Sequence, residues 1–319
     1  MSSKHLVDPD LAALADWPLV SFDRANILTV RSQRAAMAPP RPPPSPEVEI
    51  YEARAPGRDG APDVRLVVTA PKAAGKGRPG ILHVHGGGYV LGDADMTGPT
   101  DEVYALRLGA VVVSVDYRLA PETPYPGPVE DCYAGLAWLH AEAERLGVDR
   151  RRIAVTGESA GGGLAAALVL LARERGEVPI VFQHLIFPML DDRTVVDPDP
   201  SPFVGEFIWS RASNRFGWTS LLGAEPGSPE ISPFAAPARA TDLSGLPPTF
   251  MICGALDLFV EENLDYARRL IRAGVPTELH IYPGAPHGFQ FAPDAAVSRT
   301  YARDSLTAWS RALKPRGEA

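Results

Sequence analysis

The chain is poor in cysteine, in positive charge and in long apolar runs. Of its 319 residues only Cys132 and Cys253 are cysteines, one in a predicted helix and one in a predicted strand. So few thiols exclude a four-cysteine zinc site, argue against a disulfide framework and suit a reducing compartment. With 31 Lys+Arg against 39 Asp+Glu the net charge is -8, which gives no basic surface for nucleic acid or an anionic membrane. No apolar segment reaches the ~18 uninterrupted residues of a membrane span. Charged and polar residues interrupt the first ten positions, which lack the continuous apolar core of a secretory signal. Internal repeats are absent, and the acidic cluster Asp191, Asp192, Asp197 and Asp199 lacks the spacing of a calcium loop. A cytoplasmic protein is expected, with no metal, no nucleic-acid partner and no stable membrane insertion.

What is present is an apolar content of 45%, enough for one large α/β core. Short β-branched runs predict strands near 48–54, 64–69, 80–85, 111–115, 152–157, 181–186, 248–253 and 277–282. Helical periods lie between several of them. Cys132, Leu136, Leu139 and Ala143 share one face over 129–146, and Ala302, Leu306, Trp309 and Leu313 share one face of the last helix. Strands alternating with helices predict a mostly parallel sheet covered on both faces, with the first strands free to run antiparallel. The first 38 residues are too apolar for a free tail, and Pro39–Pro46 reads as an extended polyproline linker. The interval 188–247, rich in proline and aromatics, is too long for an ordinary connection and reads as an insertion above the sheet's C-terminal edge.

Two motifs carry chemistry. Ile153–Thr156 runs into Gly157-Glu158-Ser159-Ala160-Gly161, the G-x-S-x-G pattern that holds a nucleophilic serine on a sharp strand-to-helix turn. Ile81–Val84 runs into His85-Gly86-Gly87-Gly88, whose bare N–H groups at Gly87 and Gly88 can join that of Ala160 around an oxyanion. A phosphate-binding reading of the glycines fails, because no Gly-Lys-Ser/Thr follows and the G-x-G-x-x-G spacing with its distant acid is missing. A serine hydroxyl needs a base. His287, in the loop between a late strand and the final helix, is the candidate, and Asp257, just past the strand 248–253, is placed to orient it. Glu261 and Glu262, one helical turn further on, remain alternatives for the acid. His85 reads as a partly buried histidine that hydrogen-bonds its own loop, and His83 as structural.

With these elements assembled, the chain resembles the hormone-sensitive lipase group of α/β-hydrolases, the bacterial esterases with an H-G-G-G motif. The resemblance runs from about residue 48 onward, and its most specific stretch is Val115-Asp116-Tyr117-Arg118-Leu119-Ala120-Pro121-Glu122. It implies an eight-stranded sheet with the second strand antiparallel, and a catalytic domain of 46–187 and 236–319. A helical cap of 1–45 and 188–235 would cover it, with Leu19, Phe22, Phe203, Phe207 and Trp209 lining an acyl pocket. It further implies a Ser159, Asp257 and His287 triad, an oxyanion hole at Gly87, Gly88 and Ala160, and supporting roles for His85, Glu158, Asp116, Tyr117 and Arg118. Cis peptides are implied at Ala120-Pro121 and Tyr125-Pro126. The motif departs from the group's G-D-S-A-G at Glu158, and proline is absent after Asp257. The implied activity is hydrolysis of small esters with short to medium acyl chains through an acyl-enzyme, without cofactor, and the group allows for a homodimer. The same residues also serve amidases, lactonases and drug-ester hydrolases. A true lipase lacks a conspicuous amphipathic anchor here, and in the group's non-catalytic receptors the histidine is lost.

Overall fold

The computed structural model describes residues 2–37, 43–73 and 75–314. Residues 39–42 of the expected polyproline linker lie outside the described residues. Eight strands are formed: β1 (Val48–Ala55), β2 (Val64–Pro71), β3 (Arg78–Val84), β4 (Val111–Asp116), β5 (Val148–Glu158), β6 (Phe182–Ile186), β7 (Thr249–Gly254) and β8 (Thr277–Tyr282). They make one sheet in the order β1-β2-β4-β3-β5-β6-β7-β8. β2 runs antiparallel to both neighbours and every other pairing is parallel. Each of the eight expected strands is present, and the reversed second strand is as the resemblance implies.

The helices are α1 (Ala12–Ala15), α2 (Ile27–Met37), α3 (Gly98–Leu108), α4 (Gly127–Ala141), α5 (Ala160–Arg175), α6 (Arg211–Leu222), α7 (Val260–Arg272) and α8 (Ala296–Ala312). Alternation along β3 sorts them onto the two faces. Leu82 points to α4 beside Gly135, whereas His83 turns the other way to Asp101 on α3. α4 and α5 pack together on the first side, α3 and α8 on the second. With both faces covered, β3 and β4 are buried almost throughout, which explains why they read as continuous apolar runs.

Two boundaries differ from expectation. The helical pattern over 129–146 continues in burial to Ala143, but α4 stops at Ala141, because the chain turns so that Val148 N–H donates to Ala143 O. That turn starts β5 at Val148 instead of residue 152, in register with Arg78 of β3. The intervening charged run Asp149–Arg152 gives no strand signal because it lies at the open end of the sheet. At the opposite end, the C-termini of β3, β5, β7 and β8 deliver the glycine loop, Ser159, Asp257 and the His287 loop to one edge.

Candidate active site

The turn after β5 is held by its backbone. Ser159 has φ 56° and ψ -121°, a conformation that L-residues rarely adopt, and three hydrogen bonds fix it there. Its N–H donates to Ile186 O at 2.9 Å, and its C=O accepts from Met189 N–H at 2.9 Å and Gly163 N–H at 3.0 Å. Gly161 is required by close approach: a Cβ there would lie 2.1 Å from Val84 O and 2.4 Å from His85 O. The helix therefore starts hard against the end of β3, and the Ser159 side chain is pushed out of the turn.

His287 Nε2 lies 3.0 Å from Ser159 Oγ, and His287 Nδ1 lies 2.7 Å from Asp257 Oδ2. Asp257 is fully buried, and its Oδ1 accepts from Phe259 N–H at 2.9 Å. The rings of Phe187 and Phe259 stand edge-on to the imidazole at 4.7 and 5.2 Å, confining its rotation. Neither alternative acid reaches this histidine. Glu262 turns away to accept from Leu190 N–H at 2.6 Å and from the Thr194 hydroxyl, and Glu261 is exposed.

Facing the serine is the loop His85-Gly86-Gly87-Gly88. Gly87 and Gly88 have φ of 120° and 62°, values open to glycine at no steric cost. The N–H groups of Gly87, Gly88 and Ala160 donate to no protein acceptor among the described residues. Gly88 is also pinned from above, since a Cβ there would meet Cη2 of Trp209 at 2.1 Å. His85 is fully buried, stacked on Tyr117 at 4.2 Å, with Nδ1 2.8 Å from Gly86 O. Burial pushes its imidazole down, so it stays neutral. The Tyr117 hydroxyl donates to His85 O at 3.0 Å, fastening the loop. Asp116 accepts from Ala94 N–H at 3.1 Å, and Arg118 forms a two-pronged pair with Asp131 at 2.8 and 2.7 Å. Both expected X-Pro bonds, Ala120-Pro121 and Tyr125-Pro126, are cis.

His83 does more than fill space. Its Nδ1 is 2.6 Å from Asp101 Oδ1 and its Nε2 is 2.8 Å from Glu158 Oε1. Burial alone would lower this imidazole, but the Glu158 and Asp101 charges outweigh it and raise it to about 10 from the usual 6.5. A group raised on folding contributes fully below its unfolded value and loses that contribution as pH climbs to the folded value. The Tm difference between the native chain and His83→Gln is therefore expected to be widest at pH 6 and to shrink steadily toward pH 10. Thermal melts across that range check it, and a constant difference would contradict the charged assignment.

Above the serine lies a cavity of about 680 Å³, lined near Ser159 by Gly87, Gly88, Phe187, Ile208, Trp209 and Phe291. This corrects the expected apolar lining, of which only Trp209 reaches the cavity. Phe22 packs behind it, ring to ring at 5.9 Å, Phe207 is buried elsewhere, and Leu19 and Phe203 are 51% and 44% exposed. A second limb runs between α3 and α8, past Tyr104, Tyr301 and Leu306. That limb escaped sequence reasoning, although Thr97, at the N-cap of α3, and Asp101 and Tyr104 within it recur at spacings of four and three, a signal of a buried polar face. The N-terminal segment and residues 188–235 are joined above the cavity. Glu206 accepts from Ser3 N–H and hydroxyl at 2.5 and 2.7 Å and the Ser213 hydroxyl donates to Val20 O at 3.3 Å, while Arg31 of α2 ties the N-terminal segment to the loops after β3 and β4, donating to Val90 O and Ala120 O, both at 2.8 Å.

Comparison with known proteins agrees with this geometry. Residues 81–291 match the family model of the alpha/beta hydrolase fold. A carboxylesterase, NlhH of Mycobacterium tuberculosis, is 35% identical over 312 residues, 96% of each chain. Among solved structures, a bacterial heroin esterase superposes with a TM-score of 0.91 at 42% identity, covering 98% of this chain and 100% of its own. The esterase LipW from Mycobacterium marinum superposes with a TM-score of 0.82 at 34% identity, covering 98% of both chains. No helix among the described residues is long and apolar enough to cross a membrane. The chain thus belongs to the alpha/beta hydrolases of the hormone-sensitive lipase type and is a carboxylic ester hydrolase of the serine class.

Proposed function

We propose that the enzyme hydrolyses small carboxylic esters of short to medium acyl chain through an acyl-enzyme on Ser159. The observation that carries this reading is the continuous contact from Ser159 Oγ to His287 Nε2, at 3.0 Å, and from His287 Nδ1 to Asp257, at 2.7 Å. His287 takes the serine proton as Oγ attacks the ester carbonyl, and the N–H groups of Gly87, Gly88 and Ala160 hold the oxyanion. The imidazolium, steadied by Asp257, then protonates the departing alcohol. Water enters, His287 acts as base again, and the acid leaves.

In this reading residues 1–45 and 188–235 form a cap over a catalytic domain of 46–187 and 236–319, and the enzyme works in the cytoplasm. Trp209 and Phe187, which crowd the serine, support short to medium acyl groups. A series of p-nitrophenyl esters from acetate to palmitate tests it. Turnover is expected to peak between acetate and octanoate, with a pre-steady-state burst of about one p-nitrophenol per enzyme as the signature of an acyl-enzyme. A maximum at palmitate would overturn the chain-length reading, and turnover with neither a burst nor an acyl group found on Ser159 by mass spectrometry after acid quench would overturn the intermediate.

A further inference from the structure

Glu158, the residue that departs from the common motif, lies in the cavity wall beside the nucleophile. Only one of its two carboxylate oxygens is occupied: Oε1 accepts from His83 Nε2, and Oε2 receives no protein donor among the described residues. The side chain retains 21% exposure, whereas His83 and Asp101 behind it are at 0% and 1%. Both oxygens of Asp101 have partners, Oδ1 on His83 and Oδ2 accepting from Thr97 and Ser114 hydroxyls at 2.7 and 2.6 Å. Because both His83 nitrogens face carboxylate oxygens, both carry protons. One imidazolium between two carboxylates leaves one negative charge uncompensated, and Glu158 is the member that meets the cavity.

Two phenol rings share this side of the cavity with Glu158. Tyr104 of α3 and Tyr301 of α8 line the same limb, and burial, reinforced by the Glu158 charge, raises both phenols. The remaining ionisable groups lining the cavity are His85, which is neutral, His287, which serves Ser159, and Arg34. Arg34 belongs to α2, where its guanidinium lies 5.8 Å from the centre of the Phe22 ring. The cation is therefore on the side of the N-terminal segment, while the anion is on the side of α3 and α8. A carboxylate sharing a cavity wall with phenol rings is the chemistry that recognises an alkylammonium ion, by ion pairing and by attraction to aromatic rings.

We propose that Glu158, with Tyr104 and Tyr301, forms a subsite for a positively charged amine on the substrate, so that the enzyme favours esters bearing a cationic nitrogen over their neutral isosteres. This rests on the reading of Ser159 as the nucleophile of an esterase. The subsite determines specificity without entering the chemical steps. It gives the substitution at 158 a consequence, since the longer Glu side chain holds the His83 bond and still presents an oxygen to the cavity.

The test compares butyrylcholine with 3,3-dimethylbutyl butyrate, which replaces the quaternary nitrogen with carbon at the same shape. At low ionic strength the native enzyme is expected to favour the cationic ester by about 10-fold in kcat/KM, a modest value for one partly desolvated cation contact. Glu158→Gln should bring the ratio close to one, and Glu158→Asp should restore part of it. The ratio is the readout because a merely structural change lowers both esters alike. In a second arm on the native enzyme, tetramethylammonium should inhibit hydrolysis of the neutral ester competitively, with salt weakening the inhibition. A native ratio near one, an unchanged ratio in Glu158→Gln, or no inhibition by tetramethylammonium would overturn the subsite. Hydrolysis of the neutral ester by the native enzyme and not by Ser159→Ala would leave the esterase reading standing in each case.

Discussion

Replacing Ser159 with alanine is expected to lower kcat for p-nitrophenyl butyrate on the order of 10⁶-fold, the scale seen when a serine hydrolase loses its nucleophile. The protein should remain folded. The strained turn is held by the Ser159 backbone bonds to Ile186, Met189 and Gly163, none of which uses the hydroxyl. The hydroxyl's protein partner is His287, and a methyl group fits the space it leaves. Steady-state rates, burst amplitude and a thermal melt of the variant together check this. A Tm within a few degrees of native with no burst is the expected result. A folded variant that keeps more than about a hundredth of the native rate would remove Ser159 from the mechanism, since the hydroxyl alone separates the two proteins.

Asp257→Asn should be nearly as damaging, with a loss of about 10⁴-fold in kcat and little change in KM. The reason lies in how the carboxylate is held. Oδ1 accepts from Phe259 N–H, so in the variant the amide oxygen keeps that place and the amide NH₂ is turned toward His287. Two donors cannot share one bond. Nδ1 must then act as acceptor, which moves the imidazole proton to Nε2, the nitrogen that has to accept from Ser159. The base is thus blocked by the wrong tautomer while the binding cavity is unaltered. Kinetics of the purified variant on p-nitrophenyl butyrate check the split between kcat and KM. A loss carried mainly by KM would show that Asp257 shapes the cavity instead of orienting the base.

The strands were legible because buried parallel strands are short, rich in β-branched residues and almost free of charge, as in Val111–Val115 and Ile153–Val155. The site was legible because close backbone approach leaves a local trace: Gly157, Gly161, Gly87 and Gly88 are required by geometry that no other residue satisfies. Beyond the triad, which the shared motifs marked, contacts between distant segments were not legible. The charge on His83 depends on Asp101 and Glu158, which are 18 and 75 positions away and meet it only after β3, β5 and α3 are packed. The cavity walls failed for a related reason. Aromatic character marks Phe22, Phe203, Phe207 and Trp209 equally, yet only Trp209 is turned toward the serine, and that follows from the irregular path of the segment around it. Ile208 there has φ of 62°, a conformation no propensity scale assigns to a β-branched residue.

The indole that overlies Gly88 ties two positions into a single heritable unit. Any side chain at 88 collides with the bulk at 209, while a smaller residue at 209 leaves glycine at 88 undisturbed. Divergence of this enzyme, in nature or in a mutant library, must therefore travel one way: 209 shrinks first, and even then 88 admits only residues that accept its φ of 62°, asparagine before any β-branched side chain. Libraries that randomise both positions at once will recover combinations that no stepwise route beginning at 88 can reach.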